Sequence, residues 1–222
     1  MNYILNLETA TKNCSVSIAK NGKTIICNEI AEEGYSHAER LHIFIEKSLK
    51  EAGITYKDLV AIAVSQGPGS YTGLRIGVSA AKGLCFALSI PLIAVDTLQA
   101  LAAQAAIENG FIVPMLDARR MEVYSAIFSK DLDNKREILA EVITEGSFQQ
   151  YDETLYFVGD SAEKCKVVLT KSNFVFLEDI KYPSANEMSE LSFAKYTKND
   201  FVDVAYFEPY YLKDFMVTTS KK

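Results

Sequence analysis

The sequence has no tryptophan, two histidines, four scattered cysteines and no long apolar run. A membrane-spanning helix needs about 20 successive apolar residues, and no window of this chain provides them. Residues 1–8 also lack the basic start and apolar core of a secretory signal. We therefore expect a cytoplasmic protein with no membrane partner. No Cys-x-x-Cys pair occurs, which favours reduced thiols over a disulfide or a zinc site.

Positive charge is also scarce. The chain has 23 Lys and Arg against 29 Asp and Glu, which gives a net charge of −6. Strong nucleic-acid binding depends on clustered Lys and Arg that neutralise phosphates, so this balance argues against the chain alone being such a binder. Its 222 residues indicate one large domain or two small ones. The 49% of hydrophobic residues is ordinary for a globular protein.

The two histidines do not form a metal site. His37 and His42 are five residues apart, which places them about 140° apart on a helix. An i, i+4 pair can share one ion, and this pair cannot. No His-Glu-x-x-His occurs, and nothing places a nucleophile near either histidine. We expect both on a helix surface or at an interface.

The most informative segment is the glycine loop of residues 66–77, Gln-Gly-Pro-Gly-Ser-Tyr-Thr-Gly-Leu-Arg-Ile-Gly. It lies between a predicted buried strand and a predicted helix. No Lys-Ser or Lys-Thr follows, so it is not a Walker loop, and Gly67, Gly69 and Gly73 are spaced one residue too wide for the dinucleotide fingerprint. Pro68 removes one amide donor. On physical grounds a structural turn is favoured, and a phosphate cradle stays an alternative interpretation of the loop.

Apolar periodicity predicts a duplicated α/β chain. The first half reads as strands 3–9, 14–20, 23–30, 60–65 and 92–95, with a helix over 37–52 and a second helix from the glycine loop to about residue 89. The second half begins with a helix over 97–109 and continues with strands 111–116, 121–130, 135–143, 155–158 and 173–177. A helix follows residues 159–160, and a last helix follows the capping-box pair Ser184 and Glu187. We predict two mixed α/β domains, residues 1–97 and 98–222, that meet at a cleft.

Four segments carry a resemblance to a known family: residues 4–11, 67–77, 116–124 and 209–212. Together they resemble the TsaB (YeaZ) family, whose members take part in threonylcarbamoyladenosine modification of tRNA. The resemblance implies the two-domain actin-like ATPase fold (ASKHA, ribonuclease H-like) with duplicated units. It also implies a non-catalytic scaffold in the addition of a threonylcarbamoyl group to adenosine 37 of tRNAs that read codons starting with A. The alternatives are an ATP-dependent kinase or ATPase of the actin-like class, and a peptidase.

The resemblance further implies partners and cofactors. The partners are a TsaD-like catalytic subunit and a TsaE-like ATPase, with a homodimer when the chain is alone and tRNA contacted indirectly through the complex. No cofactor is expected in the isolated chain, and ATP or ADP and Mg²⁺ would come through the partner complex.

A weak or vestigial nucleotide cleft is expected at Glu8, Gly67, Gly69 and Asp117. The fold usually holds Mg²⁺ through a carboxylate in the first hairpin of each half, where Glu8 and Asp117 stand. Glu is one methylene longer than the usual Asp, and Ala10 and Arg119 occupy positions where glycines are expected. A Cβ there disfavours positive φ and close approach. The alternative is that both carboxylates accept from backbone N–H groups at turns.

The two long helices are expected to provide the partner interface. The stripe Leu74, Val78, Ala81 and Cys85 would pack on the protein's own sheet, and the glycines would leave a face open to another helix. Ile43 and Phe44 extend the apolar arc of the first helix, and such an apolar patch marks a partner site. The predicted interface residues are His37, Leu41, Phe44, Ile45, Gly73, Gly77 and Ala80.

Overall fold

Two five-stranded mixed sheets form the protein. A computed structural model describes residues 1–31 and 37–213. The strands of the first sheet are β1 Tyr3–Glu8, β2 Asn13–Lys20, β3 Lys23–Ala31, β4 Leu59–Ser65 and β5 Leu92–Val95. The strands of the second sheet are β6 Phe111–Asp117, β7 Glu122–Ser129, β8 Asn134–Val142, β9 Leu155–Val158 and β10 Phe174–Phe176.

Both sheets have the same topology. Their strand orders are β3-β2-β1-β4-β5 and β8-β7-β6-β9-β10. In each, the first three strands are antiparallel neighbours, and the first strand pairs in parallel with the fourth. The β2–β3 turn is the predicted two-residue hairpin, since Asn21 and Gly22 both have positive φ, 51° and 83°. The duplicated architecture predicted from the sequence is confirmed.

Helices cover the sheets and enclose the cores. They are α1 His37–Ala52, α2 Tyr71–Leu88, α3 Thr97–Ala102, α4 Ala162–Cys165 and α5 Met188–Thr197, with a 3₁₀ turn at Tyr56–Asp58. Helices α1 and α2 pack side by side on one face of the first sheet. The stripe Leu74, Val78, Ala81 and Cys85 is buried there, as predicted. In the second half, Phe148 in the turn after β8 is buried in the core of the second sheet.

The helix that follows the last strand of each sheet packs on the other sheet. Helix α3 contacts β6 and β7, whereas α5 contacts all five strands of the first sheet. The chain after α5 also returns to the first sheet, where the Val202 amide donates to the Leu92 carbonyl at 3.0 Å. The described end of the range 98–222 therefore packs on the first half, and the division at residue 97 stays a prediction.

Two helix boundaries differ from the sequence prediction. Helix α3 ends at Ala102 instead of 109, although the following residues favour helix. The chain there tightens into turns, and the Gln104 side chain donates to the Tyr182 carbonyl at 2.7 Å. Helix α5 begins at Met188 rather than just after Ser184. The Ser184 hydroxyl donates to Glu29 at 2.6 Å and accepts from the Asn186 amide at 3.1 Å, so it stabilises a turn instead of capping a helix.

Candidate functional site

The candidate site is the cleft where the ends of β1, β4 and β6 come together. The C-terminal segment shows how close these ends are. Within four residues it contacts both halves: the Tyr210 amide donates to the Gln66 carbonyl after β4 at 2.7 Å, and the Lys213 ammonium donates to the Ala118 carbonyl after β6 at 3.4 Å. The cleft therefore lies at the carboxyl ends of parallel strands, where α/β folds place their ligands.

Glu8 is completely buried at the end of β1. Its Oε1 accepts from the Ala10 amide at 2.6 Å, and among the described residues its Oε2 has no hydrogen-bond partner. Burial removes the carboxylate from water and raises the pKa of Glu8 to about 7, against the hydrogen bond from Ala10 that lowers it. Glu8 is thus arranged as a turn acceptor, as the alternative from the sequence has it, and its side chain is closed off from solvent.

The glycines of the loop permit close packing within the chain. The Ser70 amide donates to the Ala10 carbonyl at 2.6 Å, and a Cβ on Gly69 would lie 2.4 Å from that carbonyl oxygen. Gly67 has a φ of 116°, and a Cβ there would lie 2.7 Å from the Tyr210 carbonyl oxygen. At Gly67 and Gly69 the protein's own backbone therefore occupies the space that a phosphate cradle would need, which agrees with the structural turn favoured from the sequence.

Gly73 and Gly77 also face the chain itself. A Cβ at Gly73 would lie 2.0 Å from the Thr9 carbonyl oxygen, and one at Gly77 would lie 2.3 Å from the Thr9 hydroxyl. The Thr9 hydroxyl donates back to the Gly73 carbonyl at 2.8 Å. The prediction that these glycines form an open face for a partner helix is wrong, because the loop after β1 fills that space.

Asp117 is neutralised by a lysine of its own chain. Its Oδ1 forms an ion pair with Lys164 and accepts from the Arg119 amide at 3.3 Å. Lys164 also donates to the Arg120 carbonyl at 2.7 Å. The Asp117 amide donates to Asp160, where burial raises the pKa of the Asp160 carboxyl to about 6. A cation held by Asp117 would be repelled by this ammonium group, which already neutralises the carboxylate.

The turn after Asp117 keeps its left-handed backbone without glycine. Arg119 and Arg120 have φ values of 76° and 54°. The Ala118 amide donates to the Glu122 carbonyl and the Glu122 amide to the Arg119 carbonyl, both at 3.1 Å. The sequence indicated that an arginine disfavours such a turn, and the structure shows that these bonds impose it.

The predicted interface residues of α1 belong to the core. Leu41, Phe44 and Ile45 are buried against the first sheet, and His37 is buried with its Nε2 2.8 Å from the Thr11 carbonyl oxygen. Ala80 is half-buried. The prediction is corrected for the four buried residues of α1, because the largest side chains of an amphipathic helix turn towards the sheet that the helix covers. For Ala80 it stays a prediction.

Other apolar residues of the two helices are exposed. Ile43 on α1 is 58% exposed, and Phe86 on α2 is 83% exposed. On α2, Ser79 and Gly83 are exposed beside Phe86, and a Cβ on Gly83 would meet nothing within 4 Å. We call Ile43, Ser79, Gly83 and Phe86 the outer helical face. Its signal in the sequence is that Ile43 and Phe86 lie outside the apolar stripe of their helices.

No cluster of three or more His, Cys, Asp or Glu suited to a metal occurs in residues 1–31 and 37–213. The same residues include no helix long and apolar enough to cross a membrane.

The duplicated sheets that face each other across a cleft define the class: the two-lobed actin-like ATPase fold with ribonuclease H-like sheets. Solved structures agree at the level of fold. The ethanolamine utilization protein EutJ from Carboxydothermus hydrogenoformans superposes with a TM-score of 0.53 at 12% identity, covering 85% of this chain and 89% of that one.

Within that class, relatives identify the family. The family model described as TsaD, tRNA N6-adenosine threonylcarbamoyltransferase, matches residues 25–215. The chain is 31% identical to the tRNA threonylcarbamoyladenosine biosynthesis protein TsaB of Haemophilus influenzae, over 95% of this chain and 93% of that one. YeaZ from Pseudomonas aeruginosa superposes with a TM-score of 0.85 at 25% identity, covering 96% of this chain and all of that one. The chain belongs to the TsaB family.

The chain is also similar to part of a catalytic enzyme. It is 30% identical to the tRNA N6-adenosine threonylcarbamoyltransferase of Bacillus subtilis over 71% of this chain. It spans about half the length of that enzyme.

Proposed function

We propose that this chain is a non-catalytic scaffold subunit of the machinery that adds a threonylcarbamoyl group to adenosine 37 of tRNAs reading codons that start with A. Its partners are a TsaD-like catalytic subunit and a TsaE-like ATPase. The observation that carries the proposal is that the expected nucleotide and metal positions are taken up by contacts within the chain: Glu8 is buried, the Ala10 carbonyl lies against Gly69, and Lys164 neutralises Asp117. These are the positions where an active member of the fold would hold nucleotide and metal.

The isolated chain is accordingly expected neither to bind nor to hydrolyse ATP, and any ATP, ADP or Mg²⁺ in the complex is held with the partners. Titration calorimetry with Mg²⁺-ATP and a phosphate-release assay test this expectation. Lys164→Met is the informative variant, because it removes the cation paired with Asp117. If the wild-type chain hydrolyses ATP and Lys164→Met changes both ATP binding and the hydrolysis rate, the chain has a working site and the proposal is refuted.

The outer helical face is the proposed docking site for the TsaD-like subunit. Ile43 and Phe86 are large apolar side chains held in water on a regular helical surface, while Ser79 and Gly83 leave room for close approach. The tRNA N6-adenosine threonylcarbamoyltransferase of Bacillus subtilis shares 30% identity with this chain over half of its own length. The matching half of a TsaD-like subunit is therefore expected to present two helices equivalent to α1 and α2. Two such faces can pair with approximate two-fold symmetry. A homodimer of the chain alone is expected to use the same face.

Substitution of the exposed residues tests this docking site. Burying one Phe or Ile side chain contributes about 1.5–3 kcal/mol, so Phe86→Glu should weaken association with the TsaD-like subunit at least roughly tenfold. Ile43→Glu should act in the same direction. Val167→Glu is the matched control, because Val167 is 78% exposed on the second half. Sedimentation velocity measures the association, and an unchanged dissociation constant for Phe86→Glu would reject this face.

The contacts of Asp117 and of the two histidines do not favour the two alternative functions, an actin-like kinase or ATPase and a peptidase. An ATP-dependent kinase or ATPase would need the Asp117 carboxylate that Lys164 occupies. A peptidase would need a histidine beside a nucleophile, whereas the buried His37 contacts the Thr11 carbonyl and His42 lies on the exposed side of α1.

A further inference from the structure

A row of arginines lines one edge of the cleft. The chain has five arginines, and Arg75, Arg119 and Arg120, which we call the arginine rim, are exposed along this edge. Contacts connect them. The Arg75 guanidinium lies 4.6 Å from the centre of the Tyr71 ring, and the Tyr71 ring lies 5.0 Å from the Tyr211 ring.

The connection continues through the C-terminal segment to the β6–β7 turn. Two residues after Tyr211, Lys213 donates to the Ala118 carbonyl, and Arg119 and Arg120 follow directly. The three arginines therefore share one edge although they come from α2 and from the β6–β7 turn.

These arginines keep their charge available. Within residues 1–31 and 37–213, the guanidinium groups of Arg119 and Arg120 make neither a hydrogen bond nor an ion pair, and that of Arg75 rests on an aromatic ring. Four lysines near this half are neutralised instead: Lys164 by Asp117, Lys166 by Glu178, Lys171 by Asp152 and Lys213 by Glu122. On a chain with a net charge of −6, Arg119 and Arg120 are therefore exposed cations without an ion pair among the described residues.

The β6–β7 turn holds Arg119 and Arg120 in a backbone conformation that arginine does not favour. Both have positive φ, a conformation that glycine or asparagine adopts with less strain. Such strain in non-glycine residues costs on the order of 1–3 kcal/mol and clusters at functional sites. Glycine would therefore suit both positions better than arginine as far as the backbone is concerned.

We propose that the arginine rim binds the phosphate backbone of the substrate tRNA directly. Guanidinium groups recognise phosphate through paired N–H donors, and the exposed Tyr210, next to Tyr211 in the C-terminal segment, offers a ring for an unpaired base. This inference rests on the proposed function for the identity of the RNA, and it adds a direct contact where the sequence predicted only an indirect one.

The test measures binding of a fluorescent unmodified tRNA transcript across a series of KCl concentrations, for the assembled complex and for the chain alone. Arg119→Gln with Arg120→Gln should weaken binding to the complex about tenfold near physiological salt. The same variant should reduce the slope of log K against log salt by roughly 0.7–0.9 for each phosphate that it no longer neutralises. Arg119→Gly with Arg120→Gly should weaken tRNA binding equally while its melting temperature stays equal or rises.

The matched control removes the same charge elsewhere. Lys57→Gln with Lys198→Gln takes two exposed positive charges from positions away from the rim, and it should leave both affinity and salt slope unchanged. Equal weakening in the control and the rim variant would overturn the inference, as would unchanged tRNA affinity in the rim variant.

Two further results would also overturn the inference. If the rim variant weakens association with the TsaD-like subunit, the arginines contact protein. If saturating ATP removes the arginine-dependent part of tRNA binding, they hold a nucleotide. Failure of the wild-type complex to assemble would count against the proposed function alone, because arginine-dependent tRNA binding by the isolated chain still decides the inference.

Discussion

Replacing Glu8 by glutamine should stabilise the protein at alkaline pH. Glu8 is buried at the end of β1 with Oε1 on the Ala10 amide, and burial raises its pKa from 4.5 to about 7. Glutamine keeps the carbonyl acceptor for that amide and has nearly the same shape. It cannot ionise, so the variant avoids placing a charge in the core.

The size and the sign of the effect follow from proton linkage. Between pH 4.5 and about 7 the folded chain holds the Glu8 proton and the unfolded chain has lost it. The stability contributed by neutral Glu8 is therefore complete below pH 4.5 and is lost as the pH rises through about 7. At about 1.4 kcal/mol per pKa unit, the loss amounts to roughly 3 kcal/mol, and Glu8→Gln should avoid it.

Urea unfolding of the wild type and Glu8→Gln at pH 5 and pH 8.5 measures this difference. Asp96 and Asp160 also have raised pKa values, about 6 each, and they contribute equally to both proteins, so the difference between the two isolates Glu8. The exposed Glu145→Gln serves as the control. If the wild type and Glu8→Gln lose the same free energy of unfolding between the two pH values, Glu8 is not a buried acid that charges near neutrality.

Further predictions concern glycine packing and the C-terminal segment. Gly73→Ala should lower the free energy of unfolding by about 1–3 kcal/mol, because its Cβ meets the Thr9 carbonyl. Gly83→Ala should raise the free energy of unfolding by about 0.5–1 kcal/mol, because its Cβ meets nothing within 4 Å. Thermal unfolding measures both variants, and equal shifts would contradict the packing of Gly73 on Thr9. Lys82→Met should speed proteolysis after residue 200 several-fold, since Lys82 donates to the carbonyls of Ala205 and Phe207 at 3.0 and 2.9 Å. Mass spectrometry of the fragments locates the cuts, and an unchanged cleavage rate would refute the role of Lys82.

The sequence predicts the bounds of an element well where its apolar residues follow a regular pattern. Helix α1 and strands β5 and β9 have the predicted bounds, because each is a regular apolar pattern ended by glycine or a polar turn. The duplication could be predicted for the same reason, since strand, turn and strand recur in the same order in both halves.

Contacts distant along the chain could not be predicted in this way. The neighbour of Gly73 is Thr9, 64 residues away, and only the folded chain shows that the glycine face is filled. Likewise, Lys164 reaches Asp117 across 47 residues. The face of α1 was misassigned because a periodic pattern shows where apolar residues cluster and not how far a sheet covers them, so Ile43 rather than Phe44 is the exposed residue.

The crossing of α3 and α5 between the sheets has a consequence for how the molecule originated and how it unfolds. Each lobe is completed by a segment borrowed from the other, which is the arrangement of two identical protomers that swap a terminal element and are then fused into one polypeptide. Neither lobe has a full core alone, since α3 contributes Leu98 and Leu101 to the second core and α5 contributes Met188 to the first. A fragment cut after residue 97 would lack its last layer, and the intact chain should melt in a single transition.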